Sequence, residues 1–158
     1  MLVEAKSLGN ALGNTSLAYA FYGCKKLTEV SSILPNTVTS LEKTFCNCFI
    51  FNSPNVCNWN TSKVTNMFGA FAGCYIFNQD ISNWDTSKVT NMFYMFSGAY
   101  AFNQDIGNWN VSSCSNFSNM FDHAYAFNQD IGNWKLRSAG ATMTNMFSNA
   151  SAWSTQSA

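Results

Sequence analysis

The eight residues FNQDIGNW occupy positions 102–109 and recur unchanged at 127–134, with FNQDISNW at 77–84. Trp59, Trp84, Trp109 and Trp134 stand 25 residues apart. Phe21, Phe45, Phe71, Phe96, Phe121 and Phe147 form a second column at intervals of 24–26. A third column, Leu2, Leu27, Phe51, Phe77, Phe102, Phe127 and Trp153, marks where each unit begins. A fixed period of this length describes units that cannot bury an apolar face alone and must stack to close a core. Residues 1–158 therefore read as a single repeat domain, with coils starting near 2, 27, 51, 77, 102 and 127 and a partial coil from 153.

Each unit has two halves. LVEAKSL, LTEVSSI and the Phe77–Trp84 stretch read as brief strands followed by turns. The second half, TNMFYMF, places Val89, Met92, Phe93 and Phe96 at the spacing of one apolar helical face. Thr15, Thr39, Thr65, Thr90 and Ser115 stand six residues before the Phe column, where their hydroxyls would cap a helix N-terminus. Gly23, Asn47, Gly73, Gly98, His123 and Asn149 stand two residues after it, and these types accept the left-handed backbone of a helix end. The expected fold is an α/β right-handed solenoid of about six coils of 24–26 residues, each a short strand plus a short helix, with a parallel sheet on one face.

Charge excludes some partners. Eight acidic and eight basic residues make only 10% of the chain charged, so no basic stripe is present to hold nucleic acid. No apolar run has the length of a membrane-spanning helix, and the opening MLVEAKSLGN lacks the layout of a secretory signal. That opening fits a chain without encoded secretion or a piece of a longer protein.

AFYGCKKLTEV and the LP..VTSLEKTFCNC stretch, within 20–48, resemble BspA-like leucine-rich repeats, with recurring Phe-x-x-Cys and Leu-Pro elements. FNQDISNWDTSKVTNMFYMFSGAYA at 77–101 resembles the 25-residue variant of mycoplasma-type surface lipoproteins. The resemblance implies a leucine-rich-repeat-like stack, exposed at a cell or virion surface, often adhesive, and without catalytic residues or cofactors.

The repeat also sorts the candidate sites. Cys24, Cys48 and Cys74 share a column with Ala99, Ala124 and Ala150, which marks small buried side chains and reduced structural thiols. Cys46 and Cys48 have no His partner or second pair at zinc-finger spacing. His123, the sole His, falls in the turn column and is read as a turn residue. Asp80, Asp105 and Asp130 form a short ladder read as local Asx turns, with calcium bridging the remote alternative. The Asn columns, 78/103/128 and 58/83/108/133, are expected to bond between coils. The Trp column would wall the core, with Asn side chains satisfying the indole N–H groups, or form an exposed ladder for sugars or protein; burial is the favoured reading. Thr61 and Thr86 with Ser62, Ser87 and Ser112 suggest a short hydroxyl row of the ice-binding kind. Lys135, Arg137, Pro35 and Asn36 lie in off-pattern stretches and are expected contact loops.

These readings lead to a non-enzymatic module binding protein or glycan at a surface. The alternative is a structural virion or assembly component. It rests on coil one starting at Leu2 and on Trp153 opening an unfinished coil, which would leave edges for a second copy or a neighbouring subunit.

Overall fold

The computed structural model describes residues 3–5 and 15–153. Leu2, the rest of the LVEAKSL strand reading and the coil beyond Trp153 lie outside the described residues. Strand β1 (Val3–Ala5) pairs in parallel with β2 (Leu27–Val30), setting Val3 opposite Leu27 and Ala5 opposite Val30. A 3-10 helix spans Pro54–Asn58. Pro54 opens it with a preset φ, and the Ser53 hydroxyl accepts from the Asn55 N–H at 3.4 Å.

The expected strand-plus-helix coils do not form. Among the described residues there is no α-helix, and the two strands make one small parallel sheet. The reason lies in the backbone N–H groups. An α-helix directs each of them to the fourth carbonyl back along its own chain. Here they alternate. Ala70, Ala72 and Cys74 donate to Met67, Gly69 and Phe71 three residues earlier, at 3.2, 3.1 and 3.0 Å. Met67, Gly69, Phe71 and Gly73 donate to Asn91, Phe93, Met95 and Ser97 in the following unit, at 3.0, 2.8, 3.0 and 2.7 Å. From Gly69 to Cys74, half the donors thus close overlapping turns and half tie one unit to the next, while the Phe68 N–H goes to the Asn66 side-chain oxygen at 3.0 Å.

The units follow one another in register. Ser16, Ser40, Asn66, Asn91, Asn116 and Thr142 form consecutive parallel bridges. The threonine column does not cap helices. Thr39, Thr65, Thr90 and Ser115 hydroxyls donate to the carbonyls of Thr15, Thr39, Thr65 and Thr90, one unit back. The extra residue in KLRSAGATMT is absorbed in a turn, Gly140 N–H to Arg137 O, with Gly140 at φ 81. Thr142 then takes the column position and donates to Ser115 O.

Two columns of left-handed residues enforce the turns. Gly23, Asn47, Gly73, Gly98, His123 and Asn149 have φ of 57 to 70. Tyr19, Lys43, Gly69, Tyr94, Asn119 and Asn145, two residues before the Phe column, have φ of 47 to 59. Positive φ at the third residue of a four-residue turn is what a type II turn requires, and it interrupts any helix. For Tyr19, Lys43 and Tyr94 that geometry costs about 1–2 kcal/mol each. Inter-unit bonding and ring burial offset it.

The core is a double file of aromatic rings. Phe45, Phe71, Phe96, Phe121 and Phe147 stack at 5.5–5.8 Å between successive centroids. Phe51, Phe77, Phe102 and Phe127 run beside them at 6.0–6.1 Å. Across the two files, Phe71–Phe77 and Phe96–Phe102 are 4.0 and 3.9 Å apart. Trp59, Trp84 and Trp109 close one side, each 3% exposed, and the rings of Trp59 and Trp84 stack at 6.3 Å. Trp84→Ala removes a buried ring from this wall and is expected to cost about 3–5 kcal/mol, read as a loss of stability in urea unfolding. Trp84→Phe keeps a ring and should lose clearly less.

Candidate functional site

With the Phe and Trp columns largely buried, an aromatic column of another kind lies at the surface. Two turns, Cys74 N–H to Phe71 O and Phe77 N–H to Cys74 O, meet at Cys74 and leave Tyr75 and Ile76 projecting. The same turns recur at Tyr100 and Tyr125. Ala101, Ala126 and Ala152 N–H groups donate to the carbonyls of Tyr75, Tyr100 and Tyr125 at 3.1, 3.1 and 3.2 Å, which holds the column in line. Phe49, Tyr75, Tyr100 and Tyr125 consequently stack in one row, with centroids 4.6, 4.6 and 4.9 Å apart. The Lys25 ammonium sits 5.3 Å from the Phe49 centroid at one end. Tyr75, Tyr100 and Tyr125 are 36%, 39% and 44% exposed.

Beside this row runs a shallow trough of about 370 Å³. Gly73 and Gly98 are its floor, where neighbouring units carry Asn47 and His123, and those two residues close its ends. Ala72, Ser97, Tyr75 and Tyr100 complete its lining. The N–H groups of Asn47, Gly73, Gly98 and His123 all donate to the next unit, to Ala72, Ser97, Asp122 and Ser148. Any ligand there meets side chains rather than free backbone donors.

A smaller aromatic patch lies on the other side of the turns. Phe68 and Phe93 are 5.3 Å apart, Tyr94 meets Phe93 edge-on at 4.3 Å, and the Lys43 ammonium lies 4.7 Å from Phe68. Lys43 also faces the Tyr19 ring at 5.5 Å, and the Tyr19 hydroxyl donates to Glu42. These mutual contacts leave that patch internally paired.

The residues singled out from sequence are placed as follows. Trp59, Trp84 and Trp109 are buried and Trp134 is half-buried. The four indole N–H groups donate to the carbonyls of Ser31, Val56, Ile81 and Ile106 at 2.9–3.1 Å, so backbone and not Asn side chains satisfies them. Phe45, Phe71, Phe96 and Phe121 are fully buried, whereas Phe21 and Phe147 are partly so. The Asn78, Asn103 and Asn128 N–H groups donate to the side-chain oxygens of Asn52, Asn78 and Asn103, at 2.9 Å throughout. Gln79, Gln104 and Gln129 reach the same oxygens. In the other Asn column, Asn83 donates to Cys57 O.

Asp80, Asp105 and Asp130 accept the N–H two residues ahead, as Asx turns do. The Ser82 hydroxyl and N–H hold the Asp80 carboxyl below its ordinary range, and Ser87 does the same for Asp85. Among the described residues no group of three His, Cys, Asp or Glu could hold a metal. Thr61 and Thr86 are buried, donating to Asp85 O and Asn110 O, which removes them from any surface hydroxyl row. His123 is exposed and meets Asp122 at 2.8 Å. Lys135 and Arg137 are exposed. They lie several units along the stack from Pro35 and Asn36, whose loop precedes the Ser40 bridge, so the two contact loops do not form one surface.

The tyrosine row was not among the residues singled out. Its signal is present in GCYIF, GAYAF and HAYAF: tyrosine recurs at one position while the column two residues on stays phenylalanine. A phenol retained beside a column of bare rings marks an edge that meets water.

All six cysteines are free: Cys48 and Cys74 are buried as their column implies, but Cys24 is exposed and does not share that burial, Cys57 is intermediate, and Cys46 and Cys114 are buried. The Cys48 and Cys74 thiols donate to Phe21 O and Phe45 O. Burial pushes the Cys48 thiol from 9.0 up to about 12 and Cys114 to about 11, and raises Cys74 well above 9.0. Thiol labelling at pH 8 should therefore modify Cys24 and leave Cys48, Cys74 and Cys114 intact until the chain unfolds. Because these folded-state values are raised, their contribution to stability is complete below pH 9 and declines as pH rises from 9.0 toward 12. Urea midpoints measured across that range should fall.

No curated protein and no solved structure matches this chain. The sequence model of one family matches residues 15–105 and 39–158. Together those segments cover most of the chain, which belongs to the family described as mycoplasma protein of unknown function, DUF285.

Proposed function

We propose that this chain is a non-enzymatic binding module, related to the BspA-like repeat proteins, that holds a protein or glycan at a surface. The observation that carries the reading is the exposed row of Tyr75, Tyr100 and Tyr125. Monomeric folds rarely expose aligned aromatic side chains without using them. Tyrosine suits recognition because it offers a large, stiff, amphipathic contact at small entropic cost, and Ser, Gly and Asn beside it supply adaptable hydrogen bonds. Tyr75, Tyr100, Ser97, Gly73, Gly98 and Asn47 are that combination.

Catalysis has no comparable support. His123 is exposed and engaged by Asp122, and the cysteines with strongly raised pKa are protonated at neutral pH. The balanced charge of eight acids and eight bases supports a contact made by hydroxyls and rings rather than by electrostatic capture.

The test is an array of cell-surface glycans and extracellular-matrix proteins probed with the chain and with a variant carrying Tyr75→Ser, Tyr100→Ser and Tyr125→Ser. At least one ligand should be retained by the parent and weakened about a hundredfold or more by the variant, whose unfolding stays cooperative. Ligands held equally by both proteins, or none at all, would refute the reading.

A further inference from the structure

The trough between the tyrosine row and the glycine floor has a chemistry of its own, and we infer that it binds a short, uncharged, linear oligosaccharide. This inference rests on the binding-module reading above and narrows it to one ligand class. Charge comes first. Asn47, Ala72, Gly73, Tyr75, Ser97, Gly98 and Tyr100 are neutral, and the His123 imidazole is already paired with Asp122 at 2.8 Å. An anionic ligand would be desolvated there without a counter-charge, which is unfavourable. An extended peptide added as a strand needs a row of free backbone N–H groups. The floor offers none, since the N–H groups of Asn47, Gly73, Gly98 and His123 are each bonded to the following unit.

What the trough does offer is uncharged hydroxyl and amide chemistry. Tyr75, Tyr100 and Tyr125 stack at 4.6 and 4.9 Å. The Tyr19 hydroxyl is held by Glu42, whereas among the described residues no hydrogen bond engages the hydroxyls of Tyr75, Tyr100 and Tyr125. Two phenols, Tyr75 and Tyr100, thus present donors and acceptors to the trough, with Ser97 and Asn47 adding a hydroxyl and an amide to its lining. A short chain of pyranose rings presents many hydroxyls that both donate and accept, and is uncharged.

The ring arrangement also fixes how such a ligand is held. Tyr75 and Tyr100 lie 4° from parallel, so each covers a face of the other. A sugar ring therefore meets phenol hydroxyls and ring edges, not an open aromatic face. The trough depends on glycine. At Gly98 a Cβ would find its nearest neighbours at 3.7–3.9 Å, so a side chain fits sterically and would fill the space the ligand needs.

Isothermal titration with cellotetraose, chitotetraose and maltotetraose, and with tetragalacturonate as the anionic control, tests this. At least one neutral probe should bind with a Kd below about 5 mM. Tyr100→Phe keeps the stack, removes one hydroxyl and should weaken binding about tenfold. Gly98→Asn fills the trough while keeping a residue type that Asn47 and Asn149 show at positive φ in the same column, and should weaken binding at least as much. Tyr22→Phe, outside the trough, should change nothing. The inference is overturned if no neutral probe binds, if tetragalacturonate binds best, or if Tyr100→Phe and Gly98→Asn bind like the parent. A protein ligand lost in the triple tyrosine variant, with no oligosaccharide bound, removes the sugar assignment and leaves the binding module standing.

Discussion

Division of the backbone N–H groups between two directions governs this structure. In the segment from Gly69 to Cys74, alternate residues bond within their own turn and across to the next unit. A regular helix would consume all these donors internally, and a regular strand would point them to neighbours on both sides. The mixed arrangement lets a compact turn act as one rung of a stack. It also explains the two left-handed columns, because the chain must reverse its local twist to present every second N–H along the axis. Neighbouring units are therefore coupled by backbone bonds at several points each, and side chains of one column are forced into file.

That alignment dictates the chemistry of the interior and the surface together. Inside, phenylalanine rings stack on their own equivalents, and each indole N–H reaches a carbonyl 28 residues earlier. Polar ladders fill the positions that rings leave: threonine and serine hydroxyls on carbonyls one unit back, and Asn and Gln side chains meeting at shared oxygens. Outside, the same registration produces the tyrosine row. No separate device is needed to align those phenols. They line up because the backbone beneath them does.

The trough follows from a local departure within this uniformity. Two successive units carry Gly73 and Gly98 where neighbours carry Asn47 and His123. All four accept the left-handed backbone, so the fold is indifferent to the choice, while the surface is not. A position that is conformationally interchangeable but differs in bulk can shape a binding face without disturbing the stack.

The sequence by itself determined the period, the columns that share an environment, and which residues take positive φ after the phenylalanine, because side-chain type and spacing report burial and turn chemistry directly. The small-residue column of Cys74, Ala99 and Ala124 and the Asx turns at Asp80 and Asp105 were legible for the same reason. Only the tertiary structure decided that overlapping turns replace a helix. Val89, Met92 and Phe96 recur every three or four residues in both arrangements, so apolar spacing cannot separate them, and the destination of each N–H in a neighbouring unit is invisible along the chain. The tertiary structure alone also decided which aromatic column faces water. The phenol hydroxyl marks Tyr75 as a residue that meets water, but Trp84 also carries a polar atom, and burying one while exposing the other depends on where successive turns meet in three dimensions.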